Sequence, residues 1–74
     1  MMITYDKSAD AVYIYLARAI APGAVKRTCP CDVLETGAQV NLDFDGSGKI
    51  LGIEILGASA RLPKEILEEA KIIG

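Results

Sequence analysis

The residues predict an α+β fold in which an antiparallel β-meander of about four to five strands is packed by one C-terminal helix. Three observations carry that prediction. Apolar side chains recur every second residue at Val12, Ile14 and Leu16, at Val40, Leu42 and Phe44, and at Leu51, Ile53 and Ile55, the period that places them on one side of a pleated strand. Polar or glycine-rich stretches at 6–10 and 46–48 interrupt these runs where the chain can reverse. Beyond Gly57 the period becomes 3.6, with Leu62, Ile66, Leu67, Ala70 and Ile73 on one stripe and Lys64, Glu65, Glu68, Glu69 and Lys71 facing away.

In chain order, Ile3 and Tyr5 begin a first strand, and Asp6 offers Asx-turn chemistry for the turn that follows. Residues 11–16 mix β-branched and aromatic side chains and read as the second strand of a hairpin. Residues 18–23 either extend that strand or connect loosely, and Pro22-Gly23 closes them off. Residues 25–31 form a weaker third strand. Pro30 has no N–H to give a ladder, so this strand is expected at a sheet edge. Residues 40–44 and 51–56 are half-buried strands joined by the Gly46-Ser47-Gly48 turn, and Pro63 falls in the first turn of the helix, where its missing N–H is harmless.

With 74 residues the chain has room for one core, so residues 1–74 are read as a single domain. A domain this short hides only roughly 60% of its unfolded surface. Hydrophobic residues nevertheless make up 51% of the sequence, and mean hydropathy is +0.30. That surplus predicts a homo-oligomer, a dimer or larger, with a protein partner as the other outlet for it. Neither half of the apolar stretch 11–21, divided by Arg18, approaches the roughly 20 residues needed to span a bilayer. The start of the chain lacks the basic and small-residue signals of a secretory leader, so the reading is cytoplasmic, with no membrane partner. A net charge of −2, with its eight cations scattered from Lys7 to Lys71, argues against a nucleic-acid partner, which a basic stripe would announce.

The sharpest motif spans residues 43–54, whose letters match a calcium-binding EF-hand loop at nearly every position. Asp43, Asp45 and Ser47 stand at the first, third and fifth places, Gly48 and Lys49 follow, and Glu54 stands at the twelfth. Such a loop needs a helix on each side. Residues 35–42 instead alternate and contain Gly37, Gly52 and Gly57 interrupt the exit segment, and Leu51 brings no ligand to the ninth place. The favoured reading is therefore a β-hairpin with no metal or other cofactor. A divalent-cation site at Asp43, Asp45 and Ser47, with Glu54 added in the full loop, is the alternative.

Enzyme chemistry ranks last. The chain has no histidine, which removes the usual general base at neutral pH and the Ser–His and Cys–His pairs. Asp43 and Glu54 could perturb each other across the hairpin. Metal-dependent nucleases, however, place a lysine two residues after such a glutamate, where this chain has Leu56, and no catalytic residue is assigned. Cys29 and Cys31 are too closely spaced for a structural zinc pair and read as small hydrophobes, although two subunits could pool four thiolates. Tyr5, Tyr13 and Tyr15 read as packing residues, since a stacking platform for single strands also needs a positive groove.

Three stretches taken together carry a family likeness: Tyr5-Asp6 with Asp10-Ala11-Val12-Tyr13-Ile14, then Asn41-Leu42-Asp43-Phe44-Asp45, then residues 48–56 with Ala58-Ser59. The chain resembles a family of small bacterial proteins known as domain of unknown function 2283. The resemblance implies the same compact sheet with a terminal helix and implies no catalytic residues. By analogy with other small-protein families it also suggests an antitoxin-like partner role. The function expected from the sequence is a non-enzymatic, homo-oligomeric protein-interaction module.

Overall fold

The structure, a computed structural model, describes residues 1–33 and 38–74. Glu35 to Gly37, the beginning of the alternating stretch before the calcium-like motif, lie outside the described residues. Six strands form one sheet: β1 Met2–Asp6, β2 Ala11–Tyr15, β3 Arg27–Val33, β4 Ala38–Phe44, β5 Ile50–Leu56 and β6 Lys71–Ile72. Two short helices, α1 Ala58–Arg61 and α2 Lys64–Glu69, stand between β5 and β6. The strand order is β3-β4-β5-β2-β1-β6.

The sheet departs from the expected meander in two ways. β2 pairs with β5 rather than with β3, so the β1–β2 hairpin docks beside the β3–β4–β5 meander. The chain segment from β2 to β3 must therefore pass β5 and β4. The sixth strand, β6, runs parallel to β1, with Thr4 opposite Lys71 and Tyr5 opposite Ile72. β3 occupies the sheet edge, where Pro30 can leave its missing N–H pointing away from the ladder.

The single C-terminal helix is also corrected to two. Proline disfavours the helical conformation in the residue before it, and Leu62 is accordingly extended at φ −105° and ψ 149°. Pro63 therefore precedes α2 as its N-cap, just outside the first helical turn expected for it. α2 ends when Ala70 turns extended at ψ 146°. Ile73 then donates its N–H to the Tyr5 carbonyl at 2.9 Å, so its side chain leaves the predicted helical stripe and is exposed.

Strand alternation sorts the side chains onto two faces. Ile3 and Tyr5 on β1, Val12 and Ile14 on β2, Ile53 and Ile55 on β5, Val40, Leu42 and Phe44 on β4, and Cys29 and Cys31 on β3 share one face by register. The helices sit on part of it. Val12 and Ala58 are fully buried and Ile55 is 7% exposed, with Ile3, Tyr5, Ile14, Val40, Ile53, Leu62 and Leu67 packed around them. Ala58 suits that place because a methyl side chain lets the backbone of α1 come down onto Val12. Cys29, Leu42 and Phe44 lie on the same face beyond this cluster.

The molecule is correspondingly thin and open. Its extents are 33 × 28 × 19 Å, and its accessible surface is 5035 Å², against about 4,400 Å² for a typical folded monomer of this mass. The radius of gyration is 12.4 Å, where about 11.3 Å is usual for 74 residues.

Candidate functional site

The face away from the helices carries the polar chemistry. Register places Tyr13 on β2 opposite Glu54 on β5, Glu54 opposite Asn41 on β4, Tyr15 opposite Gly52, Gly52 opposite Asp43, and Asp43 opposite Thr28 on β3. Tyr13 donates its hydroxyl to Asp43 Oδ2 at 2.8 Å. Thr28 donates to Asp43 Oδ1 at 2.6 Å, and Asn41 Nδ2 donates to Glu54 Oε1 at 2.9 Å. The Tyr13 bond spans the intervening strand β5, which is open to it only because residue 52 has no side chain. A Cβ at Gly52 would stand 2.2 Å from the Tyr13 oxygen and 2.4 Å from ring atom Cζ. The Tyr15 ring meets Tyr13 edge-on, with centroids 4.8 Å apart and planes at 70°. Tyr13, Thr28, Asn41 and Gly52 thus join the candidate residues; an isolated glycine inside a strand was the available signal for them.

Asp43 and Glu54 share this face but have separate partners. Glu54 faces Asn41 and not Asp43. Just beyond Asp43 the ladder is irregular, with Phe44 opposite Ile50, leaving Leu51 as the extra residue of a bulge. The calcium-like letters are flanked by β4 and β5, as the alternation predicted. At the tip, Asp45 Oδ1 accepts from Ser47 N at 2.9 Å, Ser47 Oγ at 2.7 Å and Lys49 N at 3.0 Å. Asp45 N donates to the Lys49 carbonyl at 2.9 Å, and Gly48 takes φ +91°, the left-handed conformation that favours glycine. Asp45 therefore holds the turn closed. Among the described residues, no three His, Cys, Asp or Glu side chains gather in a group that could hold a metal ion.

A second polar cluster joins the β1–β2 turn to the helices. Asp10, at φ +50°, accepts from the Tyr5 hydroxyl at 2.8 Å, Ser59 N at 3.0 Å and Ser59 Oγ at 2.7 Å. Its own carbonyl takes the N–H of Ala58 at 2.9 Å. Gly57, the N-cap of α1, offers no side chain, so the Asp10 carboxylate, 49 residues before Ser59, caps the helix in its place. Asp6 closes the turn expected after β1 with its side chain, accepting from Ala9 N at 3.1 Å and Ser8 Oγ at 2.8 Å.

These contacts set the response to pH. Hydrogen bonds from Ser59 and Tyr5 hold the Asp10 carboxyl below its usual range, those from Ser8 and Ala9 do the same for Asp6, and those from Ser47 and Lys49 for Asp45. Desolvation, followed by its bond to Asp43, pushes the Tyr13 phenol upward; the bond to Asp10 is the main cause of the rise at Tyr5. The carboxylate contributions are full above their unfolded pKa near about 4 and are lost as pH falls through the lower folded values. The phenol contributions are full below about 10 and are lost as pH rises through the raised folded values. Urea midpoints should therefore be level from about pH 5 to 9 and fall on both sides. Tyr13→Phe should make the alkaline fall shallower; an alkaline limb identical to that of the parent chain contradicts the Tyr13–Asp43 assignment.

Cys29 and Cys31 are free, half-buried thiols on the edge strand β3. Next to Cys29, the side chains of Lys26, Arg27, Phe44 and Asp45 border a hollow of about 460 Å³. Tyr5 belongs to the core face, so the three tyrosines are divided between the two faces. Among the described residues, no helix is long and apolar enough to cross a membrane.

Fold and site define a small α+β domain with an open, mostly antiparallel sheet, whose polar groups largely serve one another across strands and turns. The chain belongs to the family described as Protein of unknown function (DUF2283), whose model matches residues 2–59. That match takes in both polar clusters and ends at Ser59, the residue capped by Asp10. Comparison with curated proteins and with solved structures found no match.

Proposed function

We propose that this chain is a non-enzymatic interaction module that works as a homo-oligomer. The observation that carries this reading is the mismatch between apolar content and burial. About half the sequence is hydrophobic, yet among the described residues the buried hydrophobic ones are Val12, Ile55, Ala58 and Ala70. Met2, Leu16, Ile50, Ile72 and Ile73 are each more than 40% exposed. Association removes such surface from water at roughly 25 cal/mol per Å², a large gain for a domain with so small a core. The carboxylates at Asp10, Asp43 and Asp45 are engaged in turn, cap and ladder bonds, which supports a structural role for the family-like residues. An antitoxin-like role would be one use of such a module, with a protein partner meeting the same apolar surplus.

Sedimentation analysis of the full chain tests the reading. At micromolar concentration the mass should be at least twice the 7.9 kDa of one chain. Thermal midpoints should also rise with protein concentration, as for any folded state stabilised by self-association. A strict monomer with a concentration-independent midpoint overturns the proposal.

A further inference from the structure

The geometry points to one surface for this association: the half of the helix-bearing face that the helices leave free, covered by the same half of a second copy, sheet against sheet. This inference rests on the homo-oligomeric reading and specifies its interface. On the described residues, α1 and α2 reach the core around Val12, Ile55 and Ala58. Past that cluster the same face continues through half-buried Cys29, Leu42 and Phe44 and exposed Ile50, the last two placed opposite each other by register. Ile50 is 44% exposed, and so is Leu16 at 43%, bonded through its N–H to the adjacent Leu51 carbonyl.

Three features favour a second copy as the occupant. First, a twofold contact is isologous, so one patch must supply both projections and recesses. Here exposed Ile50 stands beside the hollow bordered by Phe44 and Cys29. Second, the side chains that project from the patch, Ile50 and Leu16, are apolar and more than 40% exposed, so an identical patch is a chemically matched cover for them. Third, the surface beyond that of a typical monomer, about 600 Å², approaches the roughly 800 Å² that each partner gives to a standard interface.

The alternative dimer, built by adding strands edge to edge, is disfavoured at both ends of the sheet. β6 is two residues long. On β3, Pro30 sits in the middle of the strand, and a proline whose N side faces outward withholds a donor from an incoming strand.

The test uses the full chain, its two native thiols and one exposed substitution. Ile50→Lys places a charge in the patch at a side chain that contributes little to the protomer core. It should raise the dimer dissociation constant about thirtyfold or more while leaving the circular dichroism spectrum unchanged. Maleimide labelling of Cys29 in the unsubstituted chain should slow at least about tenfold as concentration crosses the association midpoint, since the interface covers that thiol. The labelling result stands even if Ile50→Lys fails to fold. If the unsubstituted chain dimerises but Ile50→Lys dimerises equally well and Cys29 labels at a constant rate, this interface is wrong and the oligomeric reading survives. If the unsubstituted chain is monomeric, both fall.

Discussion

Gly52→Ala is expected to destabilise the protein by about 3 kcal/mol, combining overpacking with loss of a hydrogen bond to a charged acceptor. The added methyl would occupy the space through which the Tyr13 ring passes to reach Asp43, with its carbon 2.2 Å from the phenolic oxygen. The ring is rigid and tied at its far end by the 2.8 Å bond to Asp43, so it cannot yield by bending. It must leave, breaking the contact across β5 and uncovering the edge-on packing with Tyr15. The diagnostic result is a reversal of sign. With Tyr13→Ala in the background the collision disappears, and Gly52→Ala should become neutral or stabilising, because glycine in a strand interior is worse than alanine by roughly 0.5–1 kcal/mol. Urea denaturation of the four proteins gives the coupling directly. An equal loss in both backgrounds would show that Gly52 is needed for some reason other than the tyrosine.

Val12→Ala should cost about 2.5 kcal/mol, from two buried carbons and the cavity they leave. Val12 is fully buried between the central strands and α1, packed with Ile55 and Ala58. Among the described residues it is the largest side chain with no exposure. A 74-residue domain has only about 4–11 kcal/mol of stability in total, so this substitution removes a large share. The matched comparison is Ile50→Ala. At a protein concentration low enough to keep the chain monomeric, it should change stability by less than about 0.5 kcal/mol, as exposed sites usually do. Equal losses at Val12 and Ile50 would mean that the core has been placed wrongly.

The parts of the fold that could be read from the residues are those governed by local rules. Alternation identified β2, β4 and β5 because each has one apolar and one polar face, and a one-residue slip would exchange them. Pro30 identified the edge strand because a missing donor cannot be hidden in the middle of a ladder. The sheet order was not legible, since the pairing of Val12 with Ile55 and of Ile14 with Ile53 joins segments some forty residues apart, and no local pattern chooses it. β6 escaped notice for a related reason: two residues bear no periodicity, and Lys71 and Ile72 become a strand only because β1 has a free side. The helical stripe through Ile73 followed the 3.6 period but overlooked the effect of Pro63 on Leu62.

The polar sites divide along the same line. The Asp6 turn and the Asp45 hairpin tip are local, with partners two to four residues away. The Tyr13–Asp43 and Asp10–Ser59 bonds span 30 and 49 residues, so their members appeared in the sequence as unrelated tyrosines, serines and acids. Once the strands are paired, the calcium-like spelling of residues 43–54 has a structural explanation. Asp43 serves the ladder, Asp45 and Gly48 serve the turn, Gly52 makes room for Tyr13, and Glu54 pairs with Asn41.

The claim that joins sheet geometry to function is that two chains share the apolar half of the sheet that lies beyond the helices. Isotope-filtered NOE spectroscopy on an equal mixture of labelled and unlabelled protein addresses it most directly. Intermolecular cross-peaks are expected from the Phe44 ring and the Leu42 and Ile50 methyls to the same set in the other chain. Absence of intermolecular peaks at concentrations where the chain is otherwise folded, or peaks confined to the backbone of β3, would contradict it.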